Sequence, residues 1–168
     1  MSIHTTFQTL RDKYPNDLSH NELFDEIGWS DLKNDKKYEN TCAIRMSYCL
    51  IRAGINIPGG RMPIKKGPHK GRMIEPGQVA LSKALCSPHL LGKPIIFEPG
   101  FWKNSKEIKG QNGVISFMQI PGYAMPTGGL GGHIDLLYQS KLLWIFDTMG
   151  CVEGCYWNSA EVWFWPVK

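Results

Sequence analysis

Four short apolar or alternating segments crowd the last third of the chain: GVISFMQI from Gly113, HIDLLY from His133, LLWIF from Leu142 and EVWFW from Glu161. Glycine and polar turns separate them, which predicts antiparallel strands. The preceding residues follow helical spacing instead. In IHTTFQTLRDKY, Phe7 and Leu10 share a face ahead of Pro15, and SHNELFDEIGW starts behind Ser19 and stops at Gly28. From Cys42 to Ala53, the residues Cys42, Met46, Cys49, Leu50 and Ala53 make one buried stripe, predicting a helix that crosses the core. PGQVALSKALCSPHLLG restores that spacing through Val79, Leu81, Leu85 and Cys86. Between the last two helices, GINIPGGRMPIKKGP reads as an extended surface excursion, and after them FWKNSKEIKG reads as a charged helix or turn. Helices first and strands later make an α+β fold, and 168 residues fit one domain, 1–168.

Composition narrows the function classes. A hydrophobic share of 42% beside 20% charged residues describes a globular chain that is neither disordered nor collagen-like. The net charge of +4 is carried by scattered lysines with no basic stripe, which argues against nucleic acid and leaves room for an anionic partner such as a cell-wall polymer. The start, MSIHTTFQTLRDKYPND, lacks the pattern of a secretory signal, and no segment approaches a membrane span.

Two cysteines on the central stripe stand in different positions. Cys49 is placed like a core residue, whereas Cys42 falls at the first turn behind the capping candidates Asn40 and Thr41. Helix amides and a neighbouring imidazolium both favour a thiolate. Position alone leaves a buried structural thiol as the commoner reading, so a histidine has to decide. His4, His20, His69 and His89 lie in helical or loop settings that predict surface solvation, while His133 follows MPTGGLGG and opens a strand. Glycines there allow a sharp turn and a close approach of substrate backbone.

A carboxylate behind His133 has three candidates. If QSK is the turn between HIDLLY and LLWIF, pairing centres on Ser140 and sets Asp147 directly opposite His133, with Cβ atoms about 5 Å apart. Asp135 shares the His133 face two residues on and reads as a hydrogen-bonded strand carboxylate; Glu153 lies between Cys151 and Cys155. That C-x-x-x-C pair, in a chain of five cysteines, favours a disulfide over zinc because no second ligand pair accompanies it. No metal and no cofactor are expected.

The stretches NTCAIRMSYCL, GGHIDL, CVEGC and EVWFWPV resemble the type VI secretion amidase effectors of family 4, papain-like, NlpC-type cysteine peptidases. Between Gly54 and about Thr127 the likeness is one of general arrangement. The resemblance implies Cys42 as nucleophile, His133 as general base and the Cys42 amide as part of an oxyanion stabiliser. It also implies cleavage of peptidoglycan stem peptides between γ-D-glutamate and meso-diaminopimelate. Further implications are injection by the secretion apparatus into a target periplasm, which suits a disulfide without a signal peptide, and a small periplasmic immunity protein that plugs the cleft. The family's third residue is an Asp within C-x-D-x-C, where this chain has Glu153, so strand position selects Asp147 and motif alignment selects Glu153. A housekeeping wall peptidase of the same fold, and a non-catalytic wall-binding or inhibitor module with Cys42 merely buried, are the alternatives.

Overall fold

The computed structural model describes residues 5–99, 105–144, 156 and 158–168. Helix α1 (Phe7–Lys13) starts where the Thr6 hydroxyl accepts the Thr9 amide, and α2 (His20–Ile27) starts on a reciprocal Ser19–Glu22 capping box. Gly28 ends α2 at φ 79°, a left-handed conformation that suits a residue without Cβ. Helix α3 (Cys42–Arg52) is buried from Cys42 through Ile51, so the predicted stripe is one face of a helix enclosed on every side. Its polar side chains are enclosed with partners: Arg45 donates to the Thr41 hydroxyl and the Pro15 carbonyl, Ser47 to the Glu75 carbonyl, and Tyr48 to the Glu26 carboxylate.

The stretch after α3 departs from the predicted surface excursion. Ile55, Ile57, Ile64 and Ile74 are buried in the helical core, and the chain folds back as an antiparallel pair, β1 (Met62–Pro63) with β2 (Met73–Ile74). Three of these isoleucines, Ile55, Ile57 and Ile64, fall within the predicted excursion and bury too much apolar surface to be left in water. Helix α4 (Gln78–Leu85) buries Leu81 and Leu85, but Val79 is 49% exposed. Residues two apart on a helix point to nearly opposite sides, so Val79 cannot share the Leu81 face.

Five strands form one antiparallel sheet: β3 (Ile95–Phe97), β4 (Gly113–Met118), β5 (His133–Tyr138), β6 (Lys141–Leu142) and β7 (Glu161–Pro166), in the order β3-β7-β4-β5-β6. Alternation along the strands divides the core in two. Val114, Ile134, Leu136 and Trp165 join the helices on one face, while Ile115, Phe117, Leu137, Val162 and Phe164 pack with Ile108, Ile120 and Tyr156 on the other. Helix α3 packs against β5, which brings the start of that helix to the start of that strand.

The β5–β6 hairpin corrects the predicted register. Its turn is the two residues Gln139 and Ser140, both at positive φ (47° and 65°), and Leu137 pairs with Leu142 and Tyr138 with Lys141. A two-residue turn of this kind matches strand twist better than the three-residue turn predicted from QSK. The pairing therefore does not centre on Ser140, and the placement of Asp147 opposite His133 loses its premise, because a one-residue slip reverses which face each side chain occupies. Asp147, Glu153, Cys151 and Cys155 lie outside the described residues.

Candidate active site

Cys42 is the first residue of α3 and His133 the first of β5, and both are buried, at 2% and 0% exposure. The imidazole packs in a cluster with Phe117, its directly paired neighbour on β4, and Tyr156, with ring centroids 6.3 and 4.9 Å away. His133 Nε2 is 3.3 Å from Asp135 Oδ2. A carboxylate only accepts, so Nε2 carries the proton in that bond. Nδ1 has no hydrogen-bond partner among the described residues, and the Cys42 thiol is near enough to the ring to help raise its pKa.

Among the described residues, Asp135 is the carboxylate behind the ring. Residues two apart on a strand share a face, which places it beside His133, and its oxygens also accept the Leu136 amide at 2.7 Å and the Trp144 amide at 2.6 Å. Burial pushes the Asp135 carboxyl up, and the His133 bond with the two backbone donors pulls it back. For His133 the balance runs the other way. Burial alone would lower it, but the Asp135 hydrogen bond, the Cys42 interaction and both neighbouring charges raise it to about 10. With three donors already facing its oxygens, Asp135 has no need of a proton, so the proton of the pair belongs to the ring.

The two halves of the site are pinned together by Asn40. Its Oδ1 accepts the Cys42 amide at 3.0 Å and its Nδ2 donates to the Gly132 carbonyl at 3.3 Å, one residue before His133. The Cys42 amide, implied as an oxyanion donor, is thus already engaged by Asn40. The Gly131–Gly132 pair serves the protein's own packing. A Cβ at Gly131 would strike the Tyr123 ring, and one at Gly132 would strike the Gln78 side chain and come 2.6 Å from the Phe117 carbonyl oxygen. Gln78 is itself tied down through Nε2 to the Ser116 hydroxyl at 2.6 Å. Nothing in the local sequence signalled Gln78 or Tyr123, since both reach the loop from elsewhere in the chain.

Cys42 faces a cleft of about 990 Å³ bounded by Tyr38 to Asn40, the first turn of α4 and the Tyr123 to Thr127 loop. Val79 lines it, which accounts for its exposure. Cys49, by contrast, is sealed in the core: its thiol donates to the Leu10 carbonyl at 3.1 Å and burial pushes it up to about 12. The remaining described histidines lie away from Cys42. His20 is half-buried, stacked on Phe24 with a ring nitrogen 3.2 Å from the Tyr38 carbonyl, so it is less solvated than predicted. Among the described residues no group of three His, Cys, Asp or Glu converges to hold a metal, and no helix is long and apolar enough to cross a membrane.

A family model described as type VI secretion system (T6SS), amidase effector protein 4 (Tae4), matches residues 38–165. The fold is similar to the crystal structure of the type VI effector Tae4 from Enterobacter cloacae, with a TM-score of 0.71 and 20% identity over 100% of both chains. It is similar also to the Salmonella typhimurium effector–immunity structure Tae4/Tai4, with a TM-score of 0.72 and 16% identity over 99% of this chain and 100% of that one. The Tae4–Tai4 complex of Enterobacter cloacae gives 0.71 and 18% over 99% of this chain and 100% of that one. No curated protein sequence matches.

Proposed function

The chain belongs to the type VI secretion amidase effector 4 family, and from that premise we propose that it hydrolyses the γ-D-glutamyl–meso-diaminopimelate amide of peptidoglycan stem peptides with Cys42 as nucleophile. The observation that carries this reading is that one buried ring, His133, interacts with both the Cys42 thiol and the Asp135 carboxylate, with Nε2 on the carboxylate and Nδ1 left without a hydrogen bond among the described residues. The thiol proton passes to Nδ1, and the thiolate attacks the γ-carbonyl carbon. As the amide C–N bond breaks, the ring returns that proton to the departing diaminopimelate amine, leaving a Cys42 thioester. Water, deprotonated by the now neutral ring, hydrolyses the thioester and regenerates the thiol. Asp135 fixes the tautomer and stabilises the imidazolium, the third-member role in such triads.

Delivery into a target periplasm and neutralisation by an immunity protein belong to the same proposal. Two of the similar structures are effector–immunity complexes, which supports a partner of that kind here. The test is incubation of diaminopimelate-type sacculi with wild type and Cys42→Ala, followed by mass analysis of released fragments. Cleavage at the proposed amide by wild type alone is expected; unchanged muropeptides with wild type would overturn the enzyme reading.

A further inference from the structure

The cleft in front of Cys42 is lined by Lys36, Lys37, Arg61 and Lys83 against one carboxylate, Glu39. Such a wall suits an anionic substrate. Arg61 differs from the lysines in being held in place. Its Nε and Nη2 donate to the two Glu75 oxygens at 2.9 and 2.5 Å, and Glu75 is 3% exposed while the Arg61 side chain is 64% exposed.

Glu75 is fixed in turn. Its Oε1 accepts the Gly77 amide at 2.8 Å, and the Ser47 hydroxyl of α3 both donates to its carbonyl and accepts its amide. Gly77 has a steric role here, since a Cβ would lie 2.9 Å from Arg61 Nη2 and 3.0 Å from Glu75 Oε1. A buried carboxylate and an absent side chain therefore lay the guanidinium against the cleft wall. Its Nη1 makes no hydrogen bond among the described residues. A planar fork held from behind by one carboxylate, with its second edge still able to donate, is a preorganised receptor for another carboxylate.

Resting on the hydrolytic reading above, we propose that Arg61 is the specificity-determining anchor for a free carboxylate of the stem peptide flanking the scissile amide. The two residues joined by the scissile amide offer two besides the peptide's C-terminus, the α-carboxylate of the glutamate and the side-chain carboxylate of the diaminopimelate. Both present the same chemistry, so the experiment separates them.

Three synthetic L-Ala-γ-D-Glu-diaminopimelyl-D-Ala peptides, all amidated at the D-Ala terminus, distinguish the sources: one with both flanking carboxylates free, one amidated on glutamate, and one amidated on the diaminopimelate side chain. Each is assayed with wild type, Arg61→Lys and the double variant Arg61→Gln/Glu75→Gln, which removes the guanidinium without stranding the buried Glu75 charge. Wild type should lose about tenfold or more in kcat/KM when one particular carboxylate is amidated. The double variant should lose that much on the free peptide and become indifferent to the same amidation, with Arg61→Lys between them. Equal cleavage of all three peptides by wild type would overturn the proposal, and so would variants that slow all three in proportion, the mark of a merely structural residue. Should wild type cleave none of them, nor sacculi, the hydrolytic reading falls and takes this inference with it.

Discussion

Asp135→Asn keeps the shape of the side chain and removes its charge. In the protein its two oxygens face three N–H donors, from Leu136 at 2.7 Å, Trp144 at 2.6 Å and His133 Nε2 at 3.3 Å. Whichever way an asparagine amide turns, its Nδ2 meets at least one of them, and a buried donor left without an acceptor costs about 1–3 kcal/mol. The rotamer that turns Nδ2 toward Leu136 strands one donor and the other strands two, so the first will be adopted. The effect on chemistry exceeds the effect on folding. Burial lowers His133, and the Asp135 hydrogen bond and charge supply much of the lift, shared with Cys42, that brings it to about 10. Without that charge, and with only a neutral amide oxygen left to accept the Nε2 proton, the ring loses its proton at lower pH. We therefore expect kcat/KM at neutral pH to fall by about a hundredfold or more. The alkaline limb of the pH profile, set near 10 in wild type by deprotonation of His133, should move down in the variant. The assay is the rate of stem-peptide cleavage from about pH 5 to 11, with folding checked separately by thermal melting. A limb that stays near 10 in the variant would refute the reasoning. A larger loss from Asp147→Asn or Glu153→Gln would refute it as well.

Iodoacetamide near neutral pH should label Cys42 faster than a model thiol and leave Cys49 untouched in the folded protein, because burial holds that thiol near 12; labelling of Cys49 at a comparable rate, read by peptide mass mapping, would contradict this. Gly132→Ala should destabilise the protein by about 1–3 kcal/mol in urea melts and lower kcat/KM, since the methyl meets a backbone oxygen that cannot step aside. A variant of wild-type stability would show the loop to be looser than its packing indicates. His133 has a folded pKa above its ordinary 6.5, so its contribution to stability is fully present below about 6.5 and is lost as pH rises through about 10. The melting temperature of wild type should accordingly fall more steeply over that interval than that of His133→Gln, and equal slopes would count against a charged, paired imidazole. Non-reducing mass spectrometry should find Cys151 bonded to Cys155 in protein recovered from an oxidising compartment, and two free thiols there would exclude the disulfide.

What was legible in the chain was what short-range chemistry determines. Ser19, Glu22 and Gly28 marked the ends of α2 because capping partners lie within a turn of each other. The stripe through Cys42 and Cys49 located α3, and the glycines ahead of HIDLLY located the histidine. The predicted opposition of Asp147 to His133 lost its premise because hairpin register depends on whether the turn has two residues or three. Positive φ at Gln139 and Ser140 is not a preference those residue types announce. Arg61, Gln78 and Tyr123 stayed invisible for a different reason: each acts through partners distant in sequence or through a glycine whose missing Cβ makes room for it. Val79 shows the same limit, since a helical face can be counted from spacing but a cleft cannot.

The contrast between Cys42 and Cys49 shows what the fold adds to one helix. Both thiols are nearly inaccessible, at 2% and 0% exposure, so burial does not separate them. Their neighbours do. Cys49 meets a carbonyl, the Leu10 oxygen, which accepts its proton in a hydrogen bond but cannot take it away. Cys42 interacts with a ring held through Nε2 by a carboxylate, and a ring held that way can take a proton and keep it. That difference depends on the start of α3 and the start of β5 staying in register, and Asn40 ties them by gripping the Cys42 amide with one end of its side chain and the Gly132 carbonyl with the other. The glycine pair then lets Gln78 and Tyr123 press against that junction from the far side. The reactivity proposed for Cys42 is thus a property of a junction between elements separated by some ninety residues of chain, and the helix that carries both cysteines contributes only the place where one of them begins.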